Sequence, residues 1–217
     1  MAPDPKDLLS RLQGGACQFS GDDFSEIEAV DVSAPDCEFV GCNFANAELR
    51  GADIHHSVWT TCQAPGASFV GAEAADARFA RCNFSNTNWR GARLTSAVFD
   101  DCKLTGANFA EARTLGATFK RCILVGAFLR GVSFKGLELE DIDFSDADLG
   151  GADFRDVSFS KCSLRGASLR LARFEGADLR GCDLGQVSLK DAQVFRGATV
   201  SRSQATDLLR GLGISVQ

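Results

Sequence analysis

Nine cysteines and two histidines are the side chains in this 217-residue sequence best suited to chemistry. Thiolates and imidazoles bind zinc, and thiols exchange disulfides, but each task demands a particular spacing. No Cys-x-x-Cys pair occurs. Seven cysteines, Cys42, Cys62, Cys82, Cys102, Cys122, Cys162 and Cys182, are separated by 20 residues or a multiple of 20, and Cys17 and Cys37 repeat that interval. Side chains stacked in parallel cannot converge tetrahedrally on one metal ion. A strand spacing of ~4.8 Å also exceeds the ~3.8 Å Cβ separation of a disulfide. Inward-facing cysteine then serves as a small buried hydrophobe, and thiols left reduced point to a cytoplasmic protein. His55 and His56 read as solvated residues with no partner in register. Tyrosine is absent, and no phosphate loop, nucleophile–base spacing or paired-carboxylate site is found. No catalytic residue, metal ligand or cofactor is assigned, and the chain is not expected to be an enzyme.

The elements that carry these residues follow a period of five, which neither a helix (3.6) nor a strand (2) explains. From Phe19 to Val194 the beat has 36 central positions, and 31 hold Phe, Leu, Ile, Val or Trp. The exceptions are Ala29, Ala34, Ala64, Ala74 and Thr114. Two residues before each centre sits a small residue, usually Ala, Cys, Val, Ser or Thr; Asp22, Ile27, Leu137 and Ile142 depart from this. Fifteen of the 22 glycines lie two residues after a centre, where a tight turn or positive φ is needed. A two-in segment followed by a forced bend, repeated, is a coil whose rungs bury one another. The cysteine interval makes four units of five per turn, so the coil has four sides.

Units such as ADLGG (147–151), ANFAE (107–111) and ADLRG (177–181) match the motif A(D/N)LXX. The chain thus resembles the pentapeptide-repeat proteins. That resemblance covers about residues 17–200 and implies an all-β fold, a right-handed quadrilateral β-helix of about nine turns and ~43 Å. The expected organisation is an N-terminal capping helix over 1–16, the β-helix over 17–200 and a C-terminal capping helix and tail over 201–217. In the first segment, Asp4 and Pro5 read as N-cap and first helical residue, with Leu8, Leu9 and Leu12 as an apolar stripe. No membrane span and no signal peptide are expected.

Charge is unevenly spread. Residues 1–60 hold 11 acids against Lys6, Arg11 and Arg50, whereas 61–135 hold five acids and ten bases, among them Arg78, Arg81, Lys120 and Arg121. Residues 136–156 swing back, with Glu138, Glu140, Asp141, Asp143, Asp146, Asp148, Asp153 and Asp156 opposed only by Arg155. Such a collar is a candidate surface for a basic partner that grips DNA. The alternative is that outward slots must be polar in any case. Direct nucleic-acid binding is not expected on this balance, although the basic middle leaves it open.

Beyond Val194 the beat slips by one residue in FRGATV. Ser203 then reads as an N-cap, and Ala205, Leu208, Leu209 and Leu212, followed by Ile214, form an apolar face. That face must bury against the last rung, a second copy, or both. The tail QATDLLRGLGISV (204–216) is similar to those of the gyrase-interacting pentapeptide-repeat group, which includes quinolone-resistance, DNA-mimic and toxin-immunity proteins. This resemblance implies a homodimer joined at the C-terminal ends and an acidic surface directed at DNA gyrase or another type II topoisomerase. A general protein-binding scaffold is the rival reading. A loop of five or ten residues could be hidden near 55–66, where Pro65 and Ala64 weaken the pattern.

Overall fold

The computed structural model describes residues 10–12, 17–186, 193–211 and 213–215. Asp4, Pro5, Leu8, Leu9 and Leu212 lie outside the described residues. Strands recur every twenty residues: β1 Gln18–Ser20, β2 Glu38–Val40, β3 Val58–Thr60, β4 Arg78–Ala80, β5 Val98–Asp100, β6 Thr118–Lys120, β7 Glu138–Glu140, β8 Ser158–Ser163 and β9 Asp178–Asp183. β1 to β6 form one parallel sheet and β7 to β9 another, within two compact units, Met1–Ile123 and Leu124–Gln217.

In the first unit, partners along the sheet differ by twenty, as in Phe39↔Trp59 and Phe79↔Phe99. Three further bridged positions follow in each turn, for example Asp23↔Asn43, Glu28↔Glu48 and Ser33↔Asp53. Four hydrogen-bonded sides per twenty residues make the coil quadrilateral. The Lys103 amide donates to the Cys82 carbonyl at 2.9 Å, so the Cys82 and Cys102 turns are vertical neighbours. The weak stretch 55–66 contains no loop: β3 is paired on both sides, and Trp59 and Ala64 are buried. Pro65 is tolerated because it lies between bridged positions, with its carbonyl accepting from Asn46.

Central residues stack into aromatic columns. Phe69 and Trp89 lie parallel with centroids 4.1 Å apart, and Phe79, Phe99 and Phe119 continue a second column at 4.7 and 5.1 Å. The small slot adjusts where a tryptophan must fit. The Trp59 indole donates to the Ser57 hydroxyl at 2.9 Å, and that of Trp89 to the Thr87 hydroxyl at 3.0 Å. Each hydroxyl in turn donates to a backbone carbonyl, of Ile54 and Phe84 respectively. Asp22 breaks the small-apolar rule for a comparable reason: Arg11 reaches it at 3.2 Å while lying over the Phe19 ring. Cys17, expected inward, is exposed.

The second unit repeats the scheme with Phe134, Phe154 and Phe174 stacked at 4.9 Å intervals. Its regularity ends earlier than the sequence predicts. Leu169 is only half-buried, and Phe195, not Val194, packs on Phe174 at 5.1 Å. The bridge Asp178↔Thr199 spans twenty-one residues, so the one-residue slip precedes Phe195. The C-terminal helix spans Arg202–Gly211. Its N-cap is Ser201 rather than Ser203: the Gln204 amide donates to the Ser201 hydroxyl and the Ser201 amide to the Gln204 side chain, a reciprocal capping box. The Gln204 side chain also donates to the carbonyls of Leu179 and Cys182 at 2.7 and 2.6 Å, tying the helix to β9.

Corners are built from left-handed residues. At five corners an Asp or Asn side-chain oxygen occupies the space a Cβ would need on the residue twenty further on. Glycine stands there: Asp31 lies under Gly51, Asn46 under Gly66, Asn86 under Gly106, Asp146 under Gly166 and Asp156 under Gly176.

Candidate functional site

The eight carboxylates of the predicted collar all belong to the second unit, but their surroundings divide them. Glu138 and Glu140 project from β7, with Asp141 at the following corner (φ 55°), and all three are exposed. They form no ion pair or side-chain hydrogen bond among the described residues. The others are engaged locally. Asp143 accepts from the Ser145 amide at 2.9 Å and its hydroxyl at 2.5 Å. Asp146 and Asp156 fill the corners beneath Gly166 and Gly176. Asp148 is bridged by Arg130 at 2.6 Å.

Asp153 departs furthest from the expectation. It is 7 % exposed and held by Arg155 at 2.8 Å and Arg173 at 2.7 Å. Hydrogen bonding from Arg155 outweighs the opposing burial, and with the charge of Arg173 it holds the carboxyl down at about 2. An acid neutralised by two guanidiniums contributes little to an open anionic surface. Arg173 was legible in the sequence, because it occupies the same slot as Asp153 one turn later. Arg130 was less so, since it reaches Asp148 from eighteen residues away.

The other chemically able residues have structural roles. Cys62, Cys82, Cys102, Cys122 and Cys162 each donate a thiol hydrogen to the backbone carbonyl twenty-three residues earlier, at 3.3 to 3.5 Å. Burial pushes the Cys122 thiol up to about 12 and also raises Cys162 and Cys182, which disfavours the reactive thiolate. Among the described residues no three His, Cys, Asp or Glu side chains are placed to hold a metal ion. The histidines do have partners, contrary to the sequence expectation. His55 bonds Asp53, which raises its pKa, and His56 lies 3.8 Å from Asp76, its neighbour one turn on.

On the C-terminal helix, Ala205 and Leu208 are half-buried and Leu209 is 37 % exposed; Ile214, in the tail beyond it, is 49 % exposed. No helix among the described residues is long and apolar enough to cross a membrane.

Five-residue units, inward large and small slots and twenty-residue turns define a parallel β-solenoid. The chain belongs to the pentapeptide-repeat family: residues 32–109 and 92–169 match the profile described as pentapeptide repeat region, and 152–191 that of pentapeptide repeats (8 copies). Among solved structures, it is similar to a trypsin-treated variant of QnrB1, described as a plasmid-mediated fluoroquinolone resistance protein. That similarity has 24% identity and a TM-score of 0.65, covering 93% of this chain and 98% of that one. Full-length QnrB1 matches at 22% identity and a TM-score of 0.57, covering 91% of this chain and 97% of that one. HetL, a pentapeptide repeat protein involved in heterocyst differentiation regulation from the cyanobacterium Nostoc, matches at 19% identity and a TM-score of 0.52, covering 93% and 91%. At these identities the likeness establishes the fold. No curated protein sequence matches the chain.

Proposed function

We propose that this protein is a non-enzymatic, cytoplasmic binding protein that docks on the DNA-binding surface of a bacterial type II topoisomerase, DNA gyrase in particular, and modulates its poisoning by an antibiotic or toxin. The observation that carries the reading is the exposed trio Glu138, Glu140 and Asp141, whose carboxylates form no ion pair or side-chain hydrogen bond among the described residues. Duplex DNA presents about three charges over one rung height of ~4.8 Å. Three uncommitted carboxylates on one strand and its corner match that density. The similarity of fold to QnrB1 favours a resistance role over others.

The test is a gyrase supercoiling and cleavage assay, with and without a fluoroquinolone and other poisons. Reversal of Glu138, Glu140 and Asp141 to lysine is expected to abolish any effect on gyrase while the circular dichroism spectrum stays unchanged. A triple variant that acts like the parent removes the mimicry mechanism. Asp143, Asp146 and Asp148 are poorer targets, because their reversal would also break bonds that hold corners and turns together.

A homodimer is part of the proposal. Leu209 and Ile214 leave an apolar surface on the terminal helix and tail for a second copy. A chain ending at Val200 is expected to sediment as a monomer, and a dimer that survives this truncation places the interface elsewhere. A scaffold role without a topoisomerase is the second reading, favoured by HetL, whose described role is regulatory on the same fold.

A further inference from the structure

The first unit carries a feature that the acidic surface does not explain. Five of its cations, Arg78, Arg81, Lys103, Arg113 and Lys120, have no carboxylate within 4 Å among the described residues, and two of these, Arg81 and Lys103, line one corner of the coil. Arg121 joins them, bridged to Asp100. A trough of about 270 Å³ runs along this corner over three turns, lined by Arg81, Lys103 and Arg121 together with Gln63, Asn83 and Asp101. Three cations therefore meet two carboxylates, Asp100 and Asp101, in a chain whose net charge is −6.

Arg81 (φ 54°) and Arg121 (φ 50°) adopt the left-handed conformation, as do Gly21, Gly41, Thr61 and Asp101 in the same corner slot. A long side chain is disfavoured there by roughly 1–2 kcal/mol. The sequence alone showed a basic middle; the twenty-residue turn is what brings Arg81, Lys103 and Arg121 onto one surface.

We infer that this corner is an anion-binding trough that takes phosphate groups, presented by a nucleic-acid backbone or by a free polyphosphate. Guanidinium forks at Arg81 and Arg121 suit phosphate oxygens, Lys103 supplies a point charge between them, and the Gln63 and Asn83 amides line one wall. The inference stands apart from the topoisomerase reading, since it concerns other residues in the other unit.

The experiment measures fluorescence anisotropy of a labelled 20-base-pair duplex against the full chain between 50 and 200 mM NaCl. With up to three phosphates neutralised, affinity should fall about 40-fold over that range, a log–log slope of about −2.7. The decisive variant combines Arg81→Gly with Lys103→Gln. Glycine relieves the backbone at that slot, so thermal stability should hold or rise while affinity drops and the slope flattens by about 1.8. Arg113→Gln, removing the remote cation, should change neither. Inorganic tripolyphosphate as competitor separates the sources: displacement at micromolar concentration identifies a free polyphosphate site, and its failure identifies a backbone site. The inference is overturned if neither probe binds at 50 mM salt, if the double variant binds like the parent, or if Arg113→Gln weakens binding equally.

Discussion

Thr87 tests whether the small inward slot is chosen residue by residue for the large residue beside it. Its hydroxyl accepts from the Trp89 indole at 3.0 Å and donates to the Phe84 carbonyl at 2.7 Å, and both side chains are at most 1 % exposed. Thr87→Val keeps the shape and removes both bonds. The Phe84 carbonyl still receives the backbone amide of residue 87, so the indole N–H is the group left orphaned. A buried donor without a partner costs about 1–3 kcal/mol, which for a chain of this length lowers the melting temperature by about 4–8 °C at the middle of that range. Trp89→Phe removes the donor itself, at the separate expense of a cavity. In the double variant no donor is left unpaired, so the two substitutions should couple favourably by about 1–2 kcal/mol in urea unfolding followed by circular dichroism. A coupling below about 0.3 kcal/mol would refute the claim that the hydroxyl is there for the indole.

Gly166→Ala should cost more than Gly151→Ala. Both residues have positive φ, but the added methyl at 166 meets the Asp146 carboxylate whereas that at 151 meets nothing within 4 Å; moving to an Asp146→Gly background should erase the difference in melting temperature. Asp153 gives the second unit an acid-sensitive limb. Its folded pKa of about 2 lies below the unfolded value of 3.8, so its contribution is present above pH ~4 and is lost as pH falls towards 2. Asp153→Asn should remove about 1–2 kcal/mol at pH 7 and flatten that limb, as read from denaturation at pH 7, 4 and 2.5. Gln204→Ala should release the terminal helix from the carbonyls of Leu179 and Cys182, seen as faster amide exchange over 202–211 with β2 to β5 unaffected.

Much of the fold was legible because the five-residue beat and the cysteine interval both report backbone geometry. Periodic positions such as Phe79, Phe99 and Cys102 can be read without knowing any contact. What escaped was chemistry between particular side chains. Ser57 and Thr87 registered only as small, because their hydroxyls matter solely through the tryptophans two residues on. Asp153 registered as one of eight acids, although Arg173 sits directly above it once the turn length is known. The slip ahead of Phe195 was misplaced since Val194 is also a plausible inward residue, and only the packing on Phe174 decides between them. The free and engaged members of the acidic surface look identical in sequence.

The interlocked corners have an evolutionary consequence. A methyl on Gly166 would meet the Asp146 carboxylate one storey below, so that glycine resists exchange while the aspartate remains, whereas the aspartate can change first. The order of the two changes is therefore constrained. A lineage remodelling its outer charge by single substitutions is thereby steered away from these upper glycines and towards corners such as those of Arg81, Asp101 and Arg121, where one side chain already stands above another.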